Sequence, residues 1–200
     1  KIVLLASLCL LCLAAPAQPV KTLGKQRVNS RVSNVVNATS AYSLQKLKLP
    51  FSSAAKDYYV TKVGHFYVLN GDIIVGNDLP KTMAVTINDN DFFWSDASIP
   101  VVIDQSIYDN NLGFIVHEAL KEFNNRTEIC LFPRTNQRDY IKIVYSTMLG
   151  SAAGLSSVGR QGGEQSLFLA STASKGTVMH ELMHAAGFYH EQSREDRDKF

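Results

Sequence analysis

The run from Ser174 to His190, SKGTVMHELMHAAGFYH, limits the fold of this 200-residue chain more tightly than any other stretch. It predicts a helix that Ser174 caps with its hydroxyl and that Gly187 ends in a left-handed turn. Residues four apart on a helix share one face, so the imidazoles of His180 and His184 can point at a single ion. A sharp exit at Gly187 lets His190 swing back as a third ligand. Three nitrogens leave one coordination position open, the arrangement of a catalytic rather than a structural Zn2+ site. Glu181 falls beside the pair, where its carboxylate can act as a general base without ligating the metal. The competing readings are a polar helix face with satisfied histidines and a metal site that serves structure only. A base at position 181 has no use in the second.

The body that must carry this helix reads as α/β. Ile99 to Ile103 predicts a strand, and Ser106 to Asn124 one amphipathic helix with Ile107, Leu112, Ile115, Ala119, Leu120 and Phe123 near one face. Cys130 to Phe132 and Tyr140 to Tyr145 predict short strands, Gly150 to Gly163 a Gly- and Ser-rich stretch with room for one more, and Ser166 to Ala170 the last. Upstream, Tyr58 to Leu69 is dense in Tyr, Val and Phe and predicts a strand running into the turn Asn70-Gly71-Asp72. Gln18 to about Lys56 lacks sustained period and predicts a loosely ordered leader without a core. The composition of Asp78 to Asp91 suits an exposed processing site.

The first 17 residues read as a secretory signal: Lys1, the apolar run Ile2 to Ala15, and the small-x-small site Ala15-Pro16-Ala17. That run falls short of the roughly 20 apolar residues that span a bilayer. The expected mature protein is therefore extracellular, with no membrane segment after signal removal. Residues 18–84 are assigned to a propeptide and 85–200 to the body. Ten Lys and Arg stand against three acids in residues 1–84, and ten against fifteen in 85–200. A basic leader on an acidic body hints at an intramolecular partner, although solvated surface charges would show the same imbalance. Basic residues are scattered without an aromatic-studded face, which argues against nucleic acid. Cys9 and Cys12 lie in the signal, leaving Cys130 with a partner in another chain, a free thiol, or a partner missing from this sequence. Asn37 and Asn125 head N-x-S/T sequons and are glycosylation candidates.

The run His180 to Asp198, HELMHAAGFYHEQSREDRD, matches throughout the signature H-E-x-x-H-x-x-G-F-x-H-E-Q-S-R-x-D-R-D of the astacin family of zinc endopeptidases. Trp94-Ser95 with Ile99-Pro100, CLFPRT from Cys130, and VGRQGG from Val158 resemble further landmarks of the family in the right order. The resemblance implies a metzincin-like N-terminal subdomain, with a mixed twisted sheet, a backing helix and a zinc-binding active-site helix. It implies one Zn2+ on His180, His184 and His190, Glu181 as catalytic base, and cleavage of extracellular protein or peptide substrates. It also implies an edge strand at Ser166, Leu167, Phe168, Leu169 and Ala170 for an extended peptide, and contact of Glu191 with the new N-terminus after activation. Leu69-Asn70-Gly71-Asp72 resembles the F-x-G-D element of astacin leaders, with Phe replaced by Leu. By that resemblance Asp72 occupies the zinc's open position and the leader inhibits its own enzyme.

Three departures from the family accompany the match. The disulfide around the Gly-rich loop is missing, its positions held by about Gly154 and Thr172. Cys130 resembles a cysteine paired near the end of the family's domain. The Met-turn and following tyrosine are expected beyond Phe200, so residues 85–200 read as the N-terminal half of the catalytic domain. The resulting expectation is a secreted zinc endopeptidase made as a zymogen; the alternative is a truncated, inert zinc-binding fragment.

Overall fold

The computed structural model describes residues 42–49, 52, 54–77 and 92–191. The expected signal at 1–17, the sequon at Asn37, the processing segment at 78–91 and the signature residues after Glu191 lie outside these. Among the described residues nine strands and three α-helices follow one another as β1 (Tyr42–Leu47), β2 (Lys56–Val63), β3 (Phe66–Leu69), β4 (Ile73–Asn77), β5 (Ser98–Ile103), α1 (Gln105–Asp109), α2 (Gly113–Arg126), β6 (Cys130–Pro133), β7 (Tyr140–Tyr145), β8 (Gly154–Ser157), β9 (Glu164–Leu169) and α3 (Lys175–Ala186). They join one mixed sheet in the order β1-β2-β3-β4-β8-β9-β7-β5-β6.

The body half of the sheet is parallel across β6, β5, β7 and β9. In β7 and β9 buried residues alternate with half-buried ones, so one face of the sheet carries the core. Ile99, Val101, Ile141, Ile143, Leu167 and Leu169 meet Val116, Ala119 and Phe123 of α2 and Val178, Leu182 and Ala185 of α3 in one core. This is the mixed sheet with a backing helix and a site helix expected from the sequence.

Four local expectations are corrected. Tyr58 to Leu69 is not one strand but the hairpin β2–β3, reversed at Gly64 with φ 58°, a conformation that costs glycine little. The supposed coreless leader contains β1, whose Leu47 is buried with Val60, Leu69 and Ile73 against Phe92 and Val158 of the body. The single helix from Ser106 is two, broken at Asn111, which sits at φ 61° where Asn is among the few tolerated residues. The break re-phases α2, so Val116 is buried while Ile115 and Leu120 are only half-buried.

The fourth correction concerns the peptide-binding edge. Ser166, Leu167, Phe168 and Leu169 lie in β9, which is paired on both sides: parallel to β7, with Ser166 opposite Lys142, and antiparallel to β8, with Leu169 opposite Gly154. Ala170 donates its N–H to Ala153 O at 2.9 Å. Phe168 and Leu169 are thus flanked by strands on both sides, so β9 is not the edge of the body's sheet on which a peptide could lie. On the side of the metal cluster the body's last strand is β8, which pairs in parallel with β4, Ile73 opposite Ser156 and Ser156 N donating to Asp72 O at 3.0 Å.

Candidate metal centre

Helix α3 starts at a reciprocal cap: Ser174 Oγ accepts from Thr177 N and Ser174 N donates to Thr177 Oγ1, both at 3.1 Å. It ends at Gly187, φ 120°, whose N–H donates to His184 O at 2.8 Å. Val178, Leu182 and Ala185 face the core, which turns His180, Glu181 and His184 toward β8 and the leader. The C-terminal end is tied down from three directions. Trp94 Nε1 donates to Ala185 O at 2.8 Å, Gly159 N donates to His184 O at 2.9 Å, and Phe188 N donates to Met183 O at 3.0 Å.

The chain then reverses and brings His190 onto the histidine pair. His180 Nε2 lies 3.0 Å from His184 Nε2 and 3.1 Å from His190 Nε2, and the last two are 3.2 Å apart. Asp72 Oδ2 sits 3.1 Å from His180 Nε2 and 3.2 Å from His190 Nε2, with Oδ1 3.8 Å from His184 Nε2. Four donor groups thus converge from α3, from the turn after it and from the leader, and their ligand atoms all lie within 4.8 Å of one another.

This arrangement fits a tetrahedral Zn2+ ion. Bonds of about 2.0 Å place tetrahedral ligands about 3.3 Å apart, close to the measured spacing. The tautomer agrees. His184 Nδ1 donates to Phe188 O at 2.7 Å, which leaves the lone pair of a neutral imidazole on Nε2, facing the cluster. Burial holds the His184 imidazole below the ordinary histidine range, against the opposing bond to Phe188, and so favours the neutral, ligating form. Three nitrogens and a carboxylate oxygen at such distances repel one another unless a cation or shared protons lie among them.

Glu181 is 2% exposed and points from α3 at the start of β8. Burial, with Asp72 adding to it, pushes its carboxyl up to about 9, and its Oε2 makes no hydrogen bond among the described residues. A cation held by the neighbouring imidazoles would draw that value down again. Glu181 and His180 face an open cleft of about 350 Å³, whose other walls are Asn70 to Asp72, Ser151 to Gly154 and Thr177.

The structure therefore brings together five of the residues singled out from sequence, namely Asp72, His180, Glu181, His184 and His190. Glu191 is exposed, outside the ligand cluster, and the segment it is expected to contact lies outside the described residues. Asn125 is exposed near the end of α2. Cys130 opens β6 at a half-buried position. Sequence reasoning missed Phe92, whose ring is fully buried between Gly159 and Gly187, and missed the contact of Gly154 with Glu181. Neither carries a periodic or motif signal; both depend on segments that meet only in three dimensions.

Residues 86–200 match the peptidase family described as Astacin. Among curated relatives, zinc metalloproteinase nas-14 of Caenorhabditis elegans is 36% identical over 113 residues, covering 55% of this chain and 22% of that protein. High choriolytic enzyme 2 of Oryzias latipes is 39% identical over 118 residues, covering 56% and 40%. The astacin-like metalloendopeptidase of Gallus gallus is 34% identical over 149 residues, covering 70% and 34%. The solved structure of high choriolytic enzyme 1 from medaka, a hatching enzyme zinc-protease, aligns at 35% identity and a TM-score of 0.47 over 56% of each chain. The chain spans less than half the length of these curated relatives.

Proposed function

Since the chain belongs to the astacin family of zinc peptidases, we propose that it is part of a secreted zinc endopeptidase held latent by its own leader. The observation that carries this reading is the triangle of His180, His184 and His190 Nε2 atoms at 3.0–3.2 Å with the buried Glu181 carboxyl beside it. When bound, a zinc ion supplies Lewis acidity at the scissile carbonyl. Glu181, ionised once a cation on the three imidazoles draws its pKa back down, takes the proton of the attacking water and passes it to the leaving amine. The substrates are extracellular proteins or peptides, in keeping with the signal-like residues 1–17 and with relatives named choriolytic enzymes.

Latency follows from where the leader lies. Its strand β4 occupies the side of β8 next to the cluster, so an extended substrate cannot pair there, and Asp72 takes the fourth donor position. Residues 18–84 act as the propeptide, severed between the end of β4 and Phe92. The exposure of Asn125 supports its role as a glycan acceptor, and Glu191 is the candidate for contact with the new N-terminus.

Expression of the full-length protein with its leader removed, followed by assay on an unfolded protein with and without chelator, tests the reading. Chelator-sensitive cleavage is expected, with Glu181→Ala losing turnover while keeping one zinc per chain. A full-length protein that binds zinc and cleaves nothing would overturn the reading.

A further inference from the structure

We propose that the leader, once severed from the body, stays docked on it as a noncovalent inhibitor, so that the cut after β4 does not by itself activate the protein. The inference rests on the proposed latency and concerns what ends it. Backbone pairing alone would hold the leader weakly: among the described residues β4 meets β8 at two register positions, Ile73 with Ser156 and Ile74 with Ser157. Side chains supply the rest, and they do so on both faces of the leader's sheet, because successive residues of a strand point to opposite sides. On one face Val60, Leu69 and Ile73, each 2% exposed or less, pack with Phe92 and Val158 of the body and with half-buried Tyr189, the residue before His190. On the other, Val68 packs with Leu149 and Leu155, and the Phe66 ring lies 5.0 Å from that of Phe168. Antiparallel ladders join β1 through β4, so these strands leave together or not at all. A cut between Asn77 and Phe92 breaks none of these contacts. It only replaces a leader tethered at an effective concentration of about 1 mM by one free to diffuse. Each buried aliphatic side chain returned to water shifts the balance toward docking about tenfold or more, and ordering the leader offsets part of this. A docking constant of about 10⁵, ordinary for a folded unit, then gives the severed leader a Kd of about 10 nM.

The test uses the full-length protein with a site for a sequence-specific protease placed within residues 78–84. In a Glu181→Ala background, which spares a released leader from digestion, the cut leader should co-elute with the body in size-exclusion chromatography at about 10 μM. In the active protein, the cut form at about 1 μM should show about one-tenth of the turnover of the leader-free form, rising to about nine-tenths after equilibration at about 1 nM. Phe66→Ala combined with Val68→Ala removes packing on one face and leaves Asp72 and the body untouched. It should raise the Kd about 1000-fold, so that the cut leader elutes separately and turnover at about 1 μM comes within about 2-fold of the leader-free form. Asp72→Ala should still co-elute after the cut, because packing rather than the carboxylate retains the strands. Separate elution of the parent's cut leader, or full turnover at about 1 μM directly after the cut, would overturn the inference, as would release by Asp72→Ala or co-elution in the packing variant. Absence of chelator-sensitive cleavage in the leader-free form would instead sink the proposed function, and the elution profiles would still decide whether the leader is retained.

Discussion

Phe92 is the side chain through which loss of packing should reach the metal. Its ring is fully buried, between Gly159 at φ 72° and Gly187 at φ 120°. A Cβ on Gly159 would fall 2.5 Å from ring atom Cε2, and one on Gly187 3.2 Å from Cε1. Replacing Phe92 by Ala removes the ring from a slot whose backbone walls are tied by Gly159 N to His184 O at 2.9 Å and Arg160 N to Phe92 O at 2.8 Å. Because the walls cannot close, the cost should sit in the upper part of the range for buried Phe to Ala, about 4 kcal/mol. For a chain of this size that corresponds to a fall in Tm of roughly 8 to 16 °C. Gly187 is also the residue that turns the chain toward His190, so the variant should bind zinc more weakly as well as unfold sooner. Differential scanning calorimetry with and without chelator, alongside zinc titration, reads both effects. The neighbouring Phe93 is 56% exposed and stacks edge-on with Phe92 at 5.4 Å. Phe93→Ala is the control, expected to cost about 1 kcal/mol. If the Phe92 variant melted within about 3 °C of the Phe93 variant, the slot would not be rigid and the reasoning would fail.

His184→Ala should abolish stoichiometric zinc binding by metal analysis, whereas His117→Ala, whose imidazole meets Tyr108 Oη at 3.1 Å away from the cluster, should not; undiminished zinc in the first variant would remove His184 from the ligand set. Asp72→Ala in the uncleaved protein should raise basal peptidase activity at least several-fold without reaching that of the leader-free form, because β4 still covers β8; a silent variant would make latency purely steric. Asp104 caps α1 by accepting from Ser106 N at 3.0 Å, a bond that, with Lys142 beside it, lowers its pKa to about 2. Since the folded value lies below the unfolded one, its stabilisation is complete above about pH 4 and fades toward pH 2. Urea unfolding of parent and Asp104→Asn should therefore differ by a constant amount at neutral pH and converge in acid; a gap that persists at pH 2 would refute the cap's electrostatic part.

The histidine part of the candidate metal site was legible because it is local. His180, Glu181 and His184 lie within two turns of one helix, and Gly187 with His190 complete the set three and six residues after His184, so helical period and one left-handed glycine place four functional groups together. The alternation of apolar strands with amphipathic helices likewise announced an α/β body. Strand order was not legible. Ser166 to Ala170 looked like an edge from resemblance alone, but which of β8 and β9 is outermost depends on how the Gly-rich segment folds back, and Leu169 opposite Gly154 puts β8 outside. The leader was misjudged for a related reason. Leu47, Val60, Leu69 and Ile73 are too few to make a core of their own, and they become one only against Phe92 and Val158 from the body. The sequence by itself determined the histidine-bearing helix, its cap, its terminator and the class of fold, because neighbours along the chain decide these. Only the tertiary structure decided that β4 lies parallel on β8, that Phe92 fills a slot between two glycines, and that Gly154 lies against the Glu181 side chain. Each is a close contact between segments far apart in sequence, set by van der Waals exclusion and backbone pairing, which leave no periodic mark on the chain.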